Sequence, residues 1–123
     1  MTRIALLVGA LLAYGCGVGG VDKEALMDPK SDAMKEQAPD QFTALFETSA
    51  GNFKIQVTRD WAPRGADRFY NLVRHGFFDE QRFFRVVPGF VVQWGMSGDP
   101  ELNKVWNDAV ILDDMVKQSN KRG

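Results

Sequence analysis

The 123-residue sequence has little of three things on which many functions depend: histidine, cysteine and an excess of charge. His75 is the single histidine and Cys16 the single cysteine, which excludes a multi-histidine metal site and an internal disulfide framework. With 15 Lys and Arg residues against 16 Asp and Glu residues, the net charge of -1 gives no electrostatic reason to bind nucleic acid. The hydrophobic content of 45% is that of a globular chain, and the length allows at most one ordinary domain.

The apolar run at the N-terminus is also too short to make a good transmembrane anchor. Residues 4–13 are apolar and follow one early cation, Arg3, but they cover only about half of the ~20 residues that a spanning helix needs. Small residues around Cys16 come next, which is the layout of an export signal. Residues 12–16 (LAYGC) resemble a bacterial lipobox, in which the cysteine is lipidated and becomes the new N-terminus.

Residues 1–16 are therefore predicted to be a signal peptide with lipidation at Cys16. We expect an exported chain in the cell envelope or periplasm, attached to the membrane through an N-terminal lipid. Simple secretion, an uncleaved cytosolic segment and an idle thiol at Cys16 are the alternatives. Residues 17–41 mix Gly, Asp, Lys, Pro and Gln with few aromatics, a composition typical of a flexible tether. The folded domain is predicted to cover residues 42–123.

Two strand patterns and one helix pattern open this domain. Residues 42–47 and 53–57 have strand character, and the small and polar residues 48–52 between them indicate a hairpin loop. A helix is predicted to enter around Pro63 and to stop at Gly76. Its apolar face recurs at helical spacing and consists of Ala66, Phe69, Leu72 and Val73.

A second hairpin is predicted around Pro88-Gly89, which supplies a fixed φ followed by a residue free to adopt positive φ. The flanking runs, residues 83–87 and 90–94, are rich in Phe and Val. Because alternate side chains of a strand share a face, Arg85 is expected to lie on the face of Phe83 and Val87. From composition alone, Arg85 is a surface arginine paired with a carboxylate, and Gln93 is either a binding group or an outward polar residue.

The other candidate groups have simpler interpretations. His75 fits a histidine near the last carbonyls of the predicted helix, where the helix dipole favours a cation. Asp113-Asp114 could be paired catalytic carboxylates, but a solvated turn or a helix entry is the more common role of such a pair. The arginines between residues 59 and 82 alternate with acidic residues, which is typical of a solvated helix face rather than a basic patch.

Residues 83–95 (FFRVVPGFVVQWG) resemble the central signature of cyclophilin-type peptidyl-prolyl cis-trans isomerases. That signature consists of phenylalanine, histidine, arginine, two aliphatics, Pro-Gly-Phe, two aliphatics, glutamine and a glycine pair. Earlier stretches resemble the same family: the turn TSAGNF at residues 48–53, Ala62-Pro63 followed by FYNL at residues 69–72, and GFFD at residues 76–79. The resemblance therefore covers residues 42–95.

The resemblance implies that Arg85 is the catalytic arginine. It also implies that Phe90 and Val91 line a hydrophobic proline pocket, and that Gln93 hydrogen-bonds the substrate backbone. The expected substrates and partners are proline-containing polypeptides, and no metal or other cofactor is implied. The implied fold is mainly β with one helix after the first hairpin, forming a cyclophilin-like antiparallel barrel.

The sequence departs from the family pattern in three ways. Phe84 stands where the family has histidine, and Trp94 with the residues 96–98 replaces the compact Gly-Gly-Asp ending. Because no segment resembling the family's second half follows, we expect a truncated barrel and weak or no isomerase activity in the 123-residue chain. A non-catalytic proline-peptide-binding module, an envelope lipoprotein with a structural role and a fragment without independent function are the alternatives. The oligomeric state is left open.

Overall fold

The computed structural model describes residues 3–7 and 20–121. Along the chain these residues form β1 (Arg3–Leu7), α1 (Lys23–Leu26), a 3-10 turn (Asp32–Met34), β2 (Gln41–Thr48), β3 (Gly51–Thr58), a second 3-10 turn (Arg59–Trp61), α2 (Pro63–Arg74), β4 (Arg85–Val87), β5 (Val91–Gln93) and α3 (Pro100–Asn107). The strands form two antiparallel sheets, one in the order β1-β2-β3 and one made of β4 and β5.

The first predicted hairpin is confirmed as β2 and β3. Their register pairs Thr48 with Gly51, so the turn is tighter than the loop predicted over residues 48–52. Along β2 the buried side chains alternate, and they are Phe42, Ala44 and Phe46. This alternation exists because successive side chains of a strand point to opposite faces, and it gives the sheet one buried face.

The predicted helix is confirmed as α2, which covers that buried face. It starts at Pro63, where the missing backbone N–H costs nothing because first-turn donors have no partner within the helix. Gly76 has φ of +74°, the left-handed conformation that commonly ends a helix. Tyr70 packs with Phe42 and Val73 with Phe46, so sheet and helix share two apolar clusters.

Residues 20–41 differ from the flexible tether that composition predicts. Leu26 and Met34 are buried with Phe77 and Leu102 in a third apolar cluster, and Ala38 is buried against the sheet and α2. These widely spaced apolar residues leave no periodic pattern in the sequence. Packed structure therefore begins before residue 42, and the predicted tether is corrected over its described part.

The part of the chain after the second hairpin contains a helix that the sequence interpretation did not predict. In α3, the side chain of the preceding Asp99 accepts a hydrogen bond from the Glu101 backbone N–H at 2.9 Å, and Pro100 occupies the first turn. Aspartate before proline is a common helix start, so the local signal was present. The described chain thus has three α-helices rather than the one expected.

The expected class, mainly β with helix, becomes a mixed α and β fold with two small antiparallel sheets. The described strands do not close into a barrel. β1 lies within the segment predicted to be an export signal and pairs antiparallel with β2. Over residues 3–7 and 20–121, no helix combines the length and hydrophobicity that crossing a membrane requires.

Candidate active site

The second predicted hairpin is confirmed as β4 and β5, with strands shorter than expected. Arg85 lies opposite Gln93, and Val87 lies opposite Val91. The Phe90 backbone N–H donates to the Val87 carbonyl at 3.0 Å, and Gly89 has φ of +73°. Positive φ at the third position of a turn is the type II geometry that glycine favours, so Pro-Gly sets this register.

The guanidinium of Arg85 lies beside the ring of Phe90. Its Cζ atom is 6.0 Å from the ring centroid, at the outer limit of a cation–π contact. None of the ion pairs formed within residues 20–121 involves Arg85. Within those residues Arg85 is therefore not the carboxylate-paired surface arginine that composition alone suggests.

The structure brings all four predicted site residues together on this hairpin. Arg85 and Gln93 are exposed, Val91 is half-buried, and Phe90 is 77% exposed. Since Arg85 faces Gln93 across the ladder and Val91 precedes Gln93 by two positions, Arg85, Val91 and Gln93 share one face. An accessible surface with a cation, an amide and apolar groups can bind an extended peptide. The individual roles of the four residues stay predictions.

An aromatic cluster joins this hairpin to the first sheet. The ring of Trp94 lies 5.8 Å from Phe46, 5.8 Å from Phe53 and 5.5 Å from Phe83, measured between centroids. Phe46 and Phe53 stack on each other at 4.8 Å. We call these four residues the aromatic cluster. Sequence reasoning identified Trp94 only as part of a departure from the family's Gly-Gly-Asp ending, because Phe46 and Phe53 are distant from it in the chain.

His75 joins the end of α2 to the N-terminal segment. Its Nδ1 lies 3.1 Å from Asp22 Oδ2, and its Nε2 lies 3.2 Å from the Ala33 carbonyl oxygen. The pKa of Asp22 is lowered, first by the hydrogen bond from the Ala25 backbone N–H and then by the contact with His75. The predicted helix-end histidine is confirmed in position, and its contacts are those of a structural residue.

Asp113 and Asp114 are not a pair of catalytic carboxylates in this structure. Asp114 accepts hydrogen bonds from the backbone N–H groups of Arg64 and Gly65, at the start of α2. Asp113 contributes its backbone carbonyl, which accepts from Arg64 Nη1 at 2.8 Å. Within residues 3–7 and 20–121, no group of three or more His, Cys, Asp or Glu residues could hold a metal ion.

An ion pair that the sequence interpretation missed lies between Arg59 and Asp67. Arg59 Nε donates to Asp67 Oδ1 at 2.7 Å and Nη2 donates to Oδ2 at 2.9 Å, a two-bond geometry. The hydrogen bond from Arg59 is the largest cause of the lowered pKa of Asp67. Ala38 N–H also donates to this carboxylate, so the pair ties the N-terminal segment to α2. Cys16, the remaining predicted site residue, lies outside the described residues.

Comparison with known proteins agrees with the signature carried by this hairpin. The family model described as cyclophilin type peptidyl-prolyl cis-trans isomerase/CLD matches residues 43–123. The chain therefore belongs to the cyclophilin-type peptidyl-prolyl cis-trans isomerase family.

Among curated relatives, the chain is 39% identical over 54 residues to peptidyl-prolyl cis-trans isomerase ppi1 of Schizosaccharomyces pombe, covering 44% of this chain and 33% of that protein. It is 34% identical over 56 residues to peptidyl-prolyl cis-trans isomerase-like 1 of Aspergillus fumigatus, covering 46% of this chain and 33% of that protein. The chain thus matches about a third of the length of these relatives. No solved structure gives a significant match.

Proposed function

We propose that the protein is a peptidyl-prolyl cis-trans isomerase that rotates X-Pro bonds in polypeptides and assists their folding, with Arg85 as the catalytic residue. The observation that carries the proposal is the exposed face on which Arg85 lies opposite Gln93 and forms no ion pair with a carboxylate of residues 20–121. Membership of the isomerase family supports it. The relatives named above carry the same activity in their names.

The chemistry of the reaction suits these side chains. Rotation about a peptide C–N bond has a barrier of about 18–20 kcal/mol because resonance gives that bond partial double-bond character. Twisting the bond removes the resonance and localises a lone pair on the proline nitrogen. A guanidinium directed at that nitrogen, or at the displaced carbonyl, binds the twisted amide better than either planar form, and such differential binding lowers the barrier.

The neighbouring residues would hold the substrate during the rotation. Phe90 and Val91 would contact the proline ring, and the Gln93 amide would hydrogen-bond the adjacent backbone. Apolar contact on one side of the bond leaves the acyl side free to turn. We further infer that the two described sheets are parts of the antiparallel barrel of the family, which would place more groove residues around Arg85.

The test is a protease-coupled isomerisation assay on the 123-residue chain with proline-containing peptides. We expect Arg85→Ala to lower kcat/KM by about 10²-fold or more, the usual effect of removing one preorganised donor to a transition state. Arg82→Ala is the matched control, because Arg82 is also an exposed arginine just before β4. Equal activity in wild type and Arg85→Ala, or equal losses in the two variants, would contradict the proposed role.

Peptide binding measured in the same preparations distinguishes an isomerase from a protein that binds proline peptides without catalysis. If the wild-type chain binds a proline peptide and Phe90→Ala weakens that binding, yet no turnover is seen, the protein is a proline-peptide-binding module. The exposure of Phe90, at 77%, favours a peptide contact in either case.

We also propose that the chain acts in the cell envelope, anchored through a lipid on Cys16. Arg3, the apolar residues 4–13 and the position of Cys16 support this location. Cleavage before Cys16 would remove β1 and leave one edge of β2 with unpaired backbone groups. Labelling expressing bacterial cells with a fatty acid analogue tests the anchor: label should enter the wild type and be lost in Cys16→Ser. Equal labelling of both would overturn it.

A further inference from the structure

We propose that Trp94 is a positioning residue that fixes the Arg85–Gln93 pair by clamping the open end of the β4–β5 hairpin onto the first sheet. The link between Trp94 and catalysis rests on the function proposed above. The effect of Trp94 on the placement of the hairpin can be measured whether or not the protein is an isomerase. Trp94 immediately follows Gln93, and its ring contacts Phe46 of β2 and Phe53 of β3.

The hairpin depends on side-chain packing for its placement. Within the described residues, β4 and β5 pair only with each other and share no backbone ladder with β1, β2 or β3. The residues of β4 are exposed, and in β5 only Val91 is half-buried. Contacts made by the strands themselves therefore do little to hold the hairpin against the first sheet.

The aromatic contacts are concentrated at one end of the hairpin. Phe83 lies just before β4 and Trp94 just after β5, and their rings are 5.5 Å apart. Phe83 also lies 6.5 Å from Phe53, so both flanks of the open end reach the same strand of the first sheet. At this end the Phe84 backbone N–H donates to the Gln93 carbonyl at 3.1 Å.

The candidate catalytic pair is the first ladder pair beyond this clamp. Arg85 and Gln93 lie opposite each other next to the clamped end, whereas Phe90 lies in the turn at the other end. A pair next to an anchored end moves less than a turn at the free end. The arrangement therefore gives Arg85 and Gln93 a defined position while leaving Phe90 room to adapt to a peptide.

If the indole ring were removed, neighbouring side chains would not fill the space that it leaves. An open cavity of about 450 Å³, lined in part by Phe53, Phe83, Val92 and Trp94, already lies between the hairpin and the β2–β3 turn. A smaller residue at position 94 would enlarge it, and the hairpin would lose its ring contacts with Phe46 and Phe53 of the first sheet. The expected result is a mobile hairpin on an otherwise intact fold.

The decisive experiment compares Trp94→Leu with Trp106→Leu by amide hydrogen exchange on the 123-residue chain. Trp106 is also half-buried, but its ring packs on Phe77 and its indole N–H donates to the Leu26 carbonyl, so these contacts lie outside the aromatic cluster. We expect Trp94→Leu to raise exchange at the Phe84 and Phe90 amides by about tenfold or more, with β2 and β3 unchanged. Trp106→Leu should destabilise the fold without this selective change, and Trp94→Phe should restore most of the protection.

The kinetic measurement follows on the same variants. Trp94→Leu should lower kcat by on the order of tenfold with a smaller change in KM, because substrate still meets Phe90 and Val91 while Arg85 is misplaced. Trp94→Phe should recover kcat. If Trp94→Leu does not fold, Phe83→Leu removes the other flank of the clamp and should give the same selective exchange.

The outcomes separate the two proposals. Wild-type exchange in the hairpin of folded Trp94→Leu, or the same selective loss in Trp106→Leu, overturns the positioning role. Selective loss of protection together with an inactive wild type keeps the clamp and removes the isomerase function. Selective loss with unchanged kcat shows that Trp94 fixes the hairpin but not the catalytic geometry, which also overturns the proposal.

Discussion

Asp114 Oδ2 accepts a hydrogen bond from the Gly65 backbone N–H at 2.9 Å, across 49 residues of sequence. The second carboxylate oxygen accepts from the Arg64 N–H at 3.1 Å. Ala62, which precedes α2, makes no side-chain capping bond, so a remote residue supplies the acceptor that a local Ser, Thr, Asp or Asn usually provides. The carboxylate also lies at the positive end of the helix dipole.

Residues 109–117, the C-terminal segment, therefore form hydrogen bonds with α2 and with the turn before it. Arg68 Nη1 donates to the Ala109 carbonyl at 2.8 Å, and Lys117 Nζ donates to Asp60 Oδ1 at 2.9 Å. Together with the bonds of Asp114, they contact Asp60 before α2 and the first two turns of α2 itself. Arg68 Cζ also lies 5.0 Å from the centroid of the Trp106 ring in α3, and burial lowers the pKa of Arg68.

Asp114→Ala should lower the free energy of unfolding by about 0.5–2 kcal/mol, the usual cost of losing an N-cap acceptor. Urea unfolding followed by circular dichroism measures this difference. Asp113→Ala is the matched control, because among residues 20–121 only its backbone carbonyl makes a hydrogen bond and the substitution keeps that group. Equal destabilisation by both substitutions would show that Asp114 does not act as a cap.

Leu26→Ala should destabilise the protein by about 2–5 kcal/mol, because it leaves a cavity among Met34, Phe77 and Leu102. Its neighbour Met27 is 39% exposed, and Met27→Ala should change stability by no more than about 0.5 kcal/mol. Thermal unfolding of both variants measures the contrast. If residues 20–41 were a free tether, neither substitution would change the stability of the protein.

Asp67→Asn should make the protein less stable at neutral pH, with Tm lower by about 5 °C. The folded-state pKa of Asp67 is lowered by Arg59, so the ionised carboxylate favours folding at pH values above its ordinary value of about 3.9. That contribution is lost as the pH falls through the lowered pKa. Unfolding of wild type and variant from pH 7 into the acid range should therefore show two curves that converge at low pH.

Arg59→Gln provides the matching test of the same pair. It removes the largest cause of the lowered pKa of Asp67, so the stability of Arg59→Gln should also depend less on pH in the acid range than that of wild type. A constant gap between wild type and Asp67→Asn at every pH would mean that the ion pair contributes nothing that depends on protonation.

Gly89→Ala should cost about 1–2 kcal/mol, because φ of +73° is unfavourable for a residue with a Cβ atom. No atom within 4 Å would clash with the added methyl group, so the cost is conformational alone. Gly98→Ala is the control, since Gly98 also has open space but no positive φ. Urea unfolding should separate the two, and hydrogen exchange at the Phe90 amide should rise only in Gly89→Ala.

Much of the candidate site could be predicted from sequence because its information is local. Pro88-Gly89 between runs of Phe and Val defines a hairpin, and the register that follows places Arg85 opposite Gln93. α2 was predictable for the same reason, from helical spacing between a proline and a glycine. α3 had a local signal in Asp99-Pro100 as well, although no helix was predicted there.

The sequence by itself determined α2 and the two hairpins, including the one that carries Arg85, because alternation, helical spacing and Pro-Gly chemistry act between near neighbours. Only the tertiary structure decided that Leu26 is a core residue, that Asp114 caps α2 and that Trp94 holds the second hairpin to the first sheet. Each of these roles depends on a partner far away in the chain. A side chain of that kind acquires its role only when the fold brings its partner within contact distance.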